Sequence, residues 1–177
     1  MYAGRPSQTP TLPCASRAHF FAHFLQDEEL CDFAQTFFNR SAVGHKVSVR
    51  CGNAAEVLVD LRANGGEEGD DDARFCLSYV DADKKRTLAL HELLVGAPSP
   101  LLRLGGLCVV DNVLYRGEVQ RAAERAAGTR PPLDEPRRGA NIGAALHEFL
   151  VAARDDERVT QLVLPMWDGV SILQRRR

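Results

Sequence analysis

The pattern of apolar and polar residues predicts alternating strands and helices along most of this chain. Short apolar runs bounded by polar turn residues indicate strands, whereas apolar residues three and four positions apart indicate amphipathic helices. Strands that alternate with helices are typical of an α/β fold built on a parallel sheet. The predicted strands cover residues 20–25, 47–51, 75–80, 107–110, 159–164 and 169–173, and the predicted helices cover residues 26–39, 55–63, 85–94 and 141–154.

Two of the predicted strands, Phe75–Val80 and Leu107–Val110, end abruptly in charged or amide side chains. Their continuous apolar runs predict strands that are buried on both faces of a parallel sheet. Open parallel sheets place their ligands outside the carboxyl ends of the strands, so the polar residues that follow should share one rim. These residues are Asp81, Asp83, Lys84, Asp111 and Asn112.

Carboxylate and amide oxygens at this rim predict a site for a hard divalent cation. The alternative is that each aspartate only caps the helix that follows its strand, a role that helix N-termini commonly require. Two neighbouring strands that both end in such residues favour the cation site over simple capping.

Two segments nearer the C-terminus add to the predicted fold. Asp168-Gly169 lies between the last two predicted strands and is a strong hairpin signal, so an antiparallel pair is expected beside the parallel strands. Residues 120–139 are rich in Ala, Arg and Pro, and they predict a long surface excursion with one helical turn. Because this excursion follows Asp111 and Asn112, it is expected to cover the site as a lid.

Composition narrows the class of protein. The 177 residues suit a flexible tail over 1–18 and a single domain over 19–177. A net charge of −2 without a basic face gives no reason to expect nucleic acid, and no apolar run is long enough to span a membrane. Five cysteines without CxxC spacing favour thiols in a reducing, cytoplasmic setting over a disulfide framework. The acid-free first 26 residues bear only a faint similarity to an organellar presequence.

With these elements in place, the sequence resembles the metal-dependent O-methyltransferases of the catechol and caffeoyl-coenzyme A type, which use S-adenosylmethionine. Val80–Lys84 resembles the motif at that family's fourth strand, and Leu104–Leu107 with Val110–Tyr115 resembles the motif at its fifth. Leu164–Val170 is similar to the closing hairpin, and Arg50–Ala54 to the loop beside the adenine of the methyl donor. The resemblance implies a Rossmann-like class I methyltransferase sheet, mostly parallel with an antiparallel C-terminal hairpin.

The same resemblance implies a role for each site residue. The implied ligands of Mg²⁺ or another divalent cation are Asp81, Asp111 and Asn112. The implied contacts of S-adenosylmethionine are Asp83, Gly52 and Ala54. Lys84 would act as general base on the acceptor hydroxyl. Tyr115 stands where the family usually has Trp, and it would contact a small hydroxylated, catechol-like substrate.

The family opens with a strand, a glycine-rich turn and a helix that hold the methyl donor, and nothing before Phe20 resembles that unit. The sheet is therefore predicted to lack its first strand–helix unit. Either the strands beside the gap pair directly, or a homodimer or a dimer with a paralogue fills it. Two functions stay open: methyl transfer to a hydroxyl of a catechol-like or caffeoyl-CoA-like acceptor, and a methyltransferase-like binding or regulatory module, or truncated product, without catalysis.

Overall fold

The computed structural model describes residues 21–25, 27–64, 74–130 and 138–177. The chain divides into two compact units, one up to Asn53 and one from Ala54 to Arg177. The predicted tail over 1–18 lies outside the described residues, and the prediction of one domain over 19–177 stays a prediction. Among the described residues, no helix is both long enough and apolar enough to cross a membrane.

The first unit contains a two-stranded parallel sheet and one helix, close to the predicted boundaries. Its elements are β1 (Phe21–Leu25), α1 (Glu28–Asn39) and β2 (Val47–Cys51), with a short 3₁₀ turn over Gly44–Lys46. Asp27 caps α1 by accepting a hydrogen bond from the backbone N–H of Leu30, at 3.2 Å. Glu28 and Glu29 in the first turn complement the positive end of the helix dipole.

The cysteine prediction is wrong at one pair, because Cys31 in α1 and Cys51 at the end of β2 form a disulfide bond with Cα atoms 5.9 Å apart. Their separation of 20 residues matches no motif, and the pairing exists because α1 packs against β2. Cys76 and Cys108 lie in central strands as thiols, as predicted. Since disulfides persist mainly in oxidising compartments, the cysteines no longer support a cytoplasmic location, which stays a prediction.

Among its described residues, the second unit contains a four-stranded mixed sheet and four α-helices. Its strands are β3 (Phe75–Val80), β4 (Leu102–Asp111), β5 (Val159–Leu164) and β6 (Val170–Arg175). Its helices are α2 (Ala54–Asn64), α3 (Thr87–Val95), α4 (Glu118–Ala126) and α5 (Ala140–Asp155). The strand order is β3-β4-β6-β5, with β3 and β4 parallel and both pairs that involve β6 antiparallel. The predicted α/β class, with parallel strands and an antiparallel C-terminal hairpin, is confirmed.

Each unit has a sheet of its own. Among the described residues, β1 pairs with β2 and β3 pairs with β4, and the two sheets share no ladder. How the predicted gap is filled stays a prediction. Within its own sheet β3 is an edge strand, and one line of its backbone groups has no partner strand in that sheet.

The central strands are buried on one face only, which corrects the prediction of two buried faces. On the buried face, Cys108, Val110 and Leu173 are at most 2% exposed, and α5 supplies Leu146 and Phe149 to the same core. Successive side chains of a strand point to opposite faces. The other face therefore carries alternate residues, of which the most exposed large apolar ones are Leu77, Tyr79, Leu107 and Leu162.

The predicted excursion over 120–139 is partly a packed helix. Residues Glu118–Ala126 form α4, which is longer than the single turn expected, and its Val119 and Ala122 are buried. α4 packs against α5, where a Cβ added at Gly143 would lie 2.6 Å from the backbone carbon of Glu118. The apolar positions of α4 are mostly alanines among charged residues, so the sequence carried a weak helical signal. Residues 131–137 lie outside the described part of the chain.

Candidate functional site

The carboxyl ends of β3 and β4 lie side by side, as the sequence predicted. Val80 pairs with Val110 in the parallel ladder, so Asp81 and Asp111 are the next residues at the same rim. Lys84 connects them: its Nζ donates to Asp81 Oδ1 at 2.8 Å and to the main-chain oxygen of Asp111 at 3.1 Å. The Lys84 side chain is 13% exposed, whereas that of Asp81 is 57% exposed. A cationic group thus joins the two strand ends.

The Asp111 carboxylate accepts a hydrogen bond on each of its oxygens. The hydroxyl of Tyr79 donates to Oδ2 at 2.6 Å, and the backbone N–H of Asn112 donates to Oδ1 at 2.7 Å. The Tyr79 hydrogen bond is the main reason why the pKa of Asp111 lies below its ordinary value. The same bond raises the pKa of Tyr79 to about 12, so the phenol keeps its proton and donates it to Asp111.

Capping, the alternative role for the strand-end acids, applies to Asp83 alone. Asp83 Oδ1 accepts from the backbone N–H of Lys85 at 3.1 Å and caps the short 3₁₀ turn Lys84–Arg86. Asp81 instead forms an ion pair with Lys84. Capping therefore does not account for the acids that carry the predicted metal site.

The turn after β4 has an unusual backbone. Asn112, Tyr115 and Arg116 have φ angles of 58°, 27° and 52°, in the left-handed region that L-residues rarely adopt. The Tyr115 ring lies beside Gly139, where an added Cβ would be 3.1 Å from Cε1, and the Arg116 guanidinium stands 5.8 Å from the ring centroid. The predicted acceptor contact, Tyr115, therefore sits on the strained turn that begins at the metal-ligand candidate Asn112.

The β5–β6 hairpin is attached to this turn by backbone hydrogen bonds. The N–H groups of Val113 and Leu114 donate to the carbonyl oxygens of Gly169 and Asp168, at 3.0 and 2.7 Å. The neighbouring Trp167 is 93% exposed. The hairpin tip thus buttresses the backbone directly after Asn112.

The two predicted adenine contacts lie where β2 leads into α2. Gly52 follows β2 with a φ of 138°, and Ala54 begins α2. The structure does not test their predicted contact with a methyl donor, nor that of Asp83.

The donor set at the rim fits a hard divalent cation. Asp81 and Asp111 supply carboxylate oxygens and Asn112 an amide oxygen, which Mg²⁺ prefers over nitrogen or sulfur ligands. Lys84 already occupies part of this anionic position, as expected where negative charge is concentrated.

A second cluster, His91, Glu92 and Asp156, brings potential ligand atoms within 4.8 Å of one another. It does not fit a metal ion, because Arg158 Nη2 lies 2.6 Å from Glu92 Oε1 and 2.8 Å from Asp156 Oδ2. The guanidinium already supplies the positive charge between these carboxylates. We therefore interpret the cluster as a structural ion-pair network.

The contact that the sequence pattern did not reveal is the one between Tyr79 and Asp111, because Tyr79 belongs to an apolar run. Strand periodicity contains the signal, because Tyr79 lies two positions before Asp81, and Val109, its partner in the ladder, lies two positions before Asp111. Tyr79 and Asp111 therefore point to one face. Their contact required the register of β3 against β4, which no local pattern specifies.

Two curated relatives of this chain are named as methyltransferases. The flavonoid 3',5'-methyltransferase of Vitis vinifera is 35% identical over 149 residues. The match covers 84% of this chain and 57% of that relative. Caffeoyl-CoA O-methyltransferase 2 of Zea mays is 36% identical over 142 residues, with 77% of this chain and 46% of the relative covered. The chain thus spans about half the length of these relatives.

Solved structures share the fold at lower identity. The O-methyltransferase of Bacillus cereus in complex with SAH matches with a TM-score of 0.67 and 22% identity, over 89% of this chain and 63% of that one. An SAH-bound methyltransferase of Podospora anserina matches with a TM-score of 0.66 and 22% identity, over 89% and 61% of the two chains. The sequence model of the O-methyltransferase family itself matches residues 21–176. The chain therefore belongs to the O-methyltransferase family.

Proposed function

We propose that this chain provides the metal and acceptor rim of an S-adenosylmethionine-dependent O-methyltransferase that modifies one of two vicinal hydroxyls. The relatives named for caffeoyl-CoA and for flavonoids support a planar phenolic acceptor. The observation that carries the proposal is Lys84, which contacts both Asp81 and the backbone of Asp111 at the ends of two parallel strands. The comparisons lend no support to a non-catalytic module over this function.

The proposed chemistry needs an acceptor oxygen that has lost its proton and that lies in line with the methyl group. A divalent cation held by Asp81, Asp111 and Asn112 would lower the pKa of the acceptor hydroxyl. Lys84 would take the hydroxyl proton at Nζ, which requires a neutral amine before the transfer, and would later return that proton to water. Its position between the strand ends supports this role, because the proton acceptor and the proposed ligands share one rim.

The remaining site residues would position the two substrates. Asp83, Gly52 and Ala54 are proposed contacts of S-adenosylmethionine, supported by their place in the family motifs and by the SAH complexes of the structural neighbours. Tyr115 is the proposed acceptor contact, supported by its position in the turn directly after Asn112.

Calorimetric titration of the 177-residue chain with S-adenosylhomocysteine, with and without Mg²⁺, tests the proposal first. Micromolar binding is expected, and ligand at about 100 times its dissociation constant should add about 2.7 kcal/mol to the free energy of unfolding. Mass spectrometry should then detect one methyl group added to caffeoyl-CoA or a simple catechol. Absence of binding at millimolar ligand would show that this chain alone is not a methyltransferase.

Asp111→Ala tests the metal within the same proposal. Loss of an anionic ligand should abolish the Mg²⁺-dependent part of both turnover and thermal stabilisation. Glu148→Ala, which removes an exposed acid from α5, is the matched control and should leave both unchanged. An unchanged Mg²⁺ response in Asp111→Ala would overturn the proposed metal site.

A further inference from the structure

Burial in the hydrophobic core does not explain the position of Tyr79. Its side chain is 62% exposed and lies on the same face of the sheet as Leu77, which is 56% exposed. A phenol in that setting gains little from burial, since most of its apolar surface stays in water. Within the described residues, the polar contact of its side chain is the 2.6 Å hydrogen bond to Asp111 Oδ2.

That hydrogen bond restricts the Asp111 carboxylate together with the Asn112 backbone. The two donors act on different oxygens, Tyr79 on Oδ2 and the Asn112 N–H on Oδ1, so rotation of the carboxylate would break both bonds. Each carboxylate oxygen accepts more than one hydrogen bond or ligand, so both oxygens keep capacity for a cation. The group is thus held in one orientation while still able to coordinate.

The other charged group at the rim acts on different atoms. Lys84 contacts the main-chain oxygen of Asp111 and the carboxylate of Asp81, and these contacts leave the Asp111 carboxylate to Tyr79 and Asn112. Among the described residues, the Tyr79 hydroxyl is therefore the side-chain donor that orients the Asp111 carboxylate.

We propose that Tyr79 is a positioning residue that presents the Asp111 carboxylate to the divalent cation. The inference rests on the proposed function, because it assigns Asp111 to the metal. Hydrogen bonds to ligating groups commonly change metal affinity by 10–100-fold, since they remove the cost of ordering the ligand. The Tyr79 hydrogen bond is expected to change the metal affinity, so a saturating metal concentration should compensate for loss of that bond.

Tyr79→Phe is the decisive variant because it removes one oxygen and keeps the ring. Titration of the full chain with Mn²⁺, by calorimetry and by the decrease of the free-ion paramagnetic resonance signal, should show affinity about 10-fold weaker than wild type. In turnover assays the Mg²⁺ concentration for half-maximal rate should rise by a similar factor, with the wild-type rate recovered at saturating Mg²⁺. Leu77→Ala, an exposed change on the same strand, should leave the Mn²⁺ affinity unchanged.

The outcomes separate this inference from the function on which it rests. If wild type binds Mn²⁺, Asp111→Ala does not and Tyr79→Phe binds like wild type, Tyr79 has no positioning role although the metal site stands. A lower melting temperature of Tyr79→Phe with unaltered Mn²⁺ affinity would likewise overturn the inference and leave a structural role. If wild type fails to bind Mn²⁺ at all, the metal site and the inference are both overturned.

Discussion

Trp167 shows how a single residue at the edge of the site can work against stability. Its φ is 48° and its side chain is 93% exposed, so a bulky residue holds a left-handed backbone with almost no packing in return. Left-handed conformations cost L-residues roughly 1–2 kcal/mol, a cost that glycine avoids. Trp167→Gly is therefore expected to raise the free energy of unfolding by about 1 kcal/mol.

Denaturant unfolding followed by far-UV circular dichroism measures this change. Tryptophan fluorescence is unsuitable as the signal, because Trp167 is the one tryptophan of the chain and the variant removes it. Trp167→Ala is the matched control, because it removes the same ring and keeps the Cβ that causes the strain. The strain argument fails if the alanine variant gains as much stability as the glycine variant.

The sequence predicted correctly which polar residues meet at the carboxyl ends of the strands. Asp81, Lys84 and Asp111 come together because the carboxyl ends of parallel strands share a rim, and a run of apolar residues marks each end. Tyr79 was missed because its partner lies 32 residues away and depends on strand register. The capping role of Asp83 was foreseen only as a general alternative, and just one of the acids adopts it.

At the scale of elements, the close packing of α4 on α5 depends on Gly143. A Cβ there would lie 2.6 Å from the backbone carbon and oxygen of Glu118, and backbone atoms cannot move aside cheaply. Glycine-to-alanine changes inside helices usually stabilise by up to about 1 kcal/mol. Gly143→Ala should do the opposite and lower the free energy of unfolding by about 2 kcal/mol.

Thermal and denaturant unfolding of Gly143→Ala against Ala144→Ser, an exposed substitution one position along α5, would measure this effect. Stabilisation by Gly143→Ala would mean that α4 and α5 are not in close contact. Because α4 begins just after the turn that contains Tyr115, the variant should also weaken acceptor binding if the proposed function is correct.

Element boundaries were predictable where periodicity was strong and less so elsewhere. The predicted span of β3 matches the observed one, and α5 differs by one residue at each end. β4 begins five residues earlier than predicted, because Gly105 and Gly106 continue the strand through a register shift and do not end it in a turn. The helix α4 was underestimated because alanine and arginine form helices readily but leave a faint apolar pattern.

At the scale of the whole molecule, a partly buried ion-pair network connects parts of the chain 65 residues apart. His91 Nε2 lies 2.9 Å from Asp156 Oδ2, and Arg158 donates to Asp156 and to Glu92. Burial opposes ionisation of Asp156, but the hydrogen bonds from Arg158 and His91 outweigh it and hold its pKa below the ordinary value. The Arg158 hydrogen bond likewise lowers the pKa of Glu92.

A carboxyl whose pKa is lower in the folded state stabilises the fold above its unfolded pKa, which is about 3.9 for aspartate, and loses that contribution as pH falls through the folded value. Asp156→Asn should therefore cost on the order of 3 kcal/mol at neutral pH, because it removes the more buried of the two carboxylates that pair with Arg158. The difference from wild type should shrink steadily below about pH 4.

Unfolding free energies of Asp156→Asn between pH 2 and pH 7 measure this dependence. Asp155→Asn is the matched control: this neighbouring side chain is 60% exposed and pairs only locally with Arg154, so it should follow the wild-type curve. A constant difference between Asp156→Asn and wild type across the pH range would contradict the proposed ion-pair contribution.

The overall architecture was predictable as a class, whereas the pairing of its strands was not. Alternating strands and helices specify an α/β fold, and Asp168-Gly169 marks the antiparallel hairpin. Which strands are adjacent depends on tertiary packing, which leaves no local trace in the sequence. The division into two sheets, with β3 at an edge, therefore follows only from the structure.

The open face of the four-stranded sheet has a thermodynamic consequence. Leu77 and Leu107 are exposed on the face that also bears Tyr79 and the Asp111 carboxylate. A molecule or segment that covers these leucines and extends over Tyr79 would also remove water from the Tyr79–Asp111 hydrogen bond, and such a bond strengthens as the local dielectric constant falls. Covering the face and ordering the Asp111 carboxylate are thus linked equilibria. Each would favour the other by one shared coupling free energy.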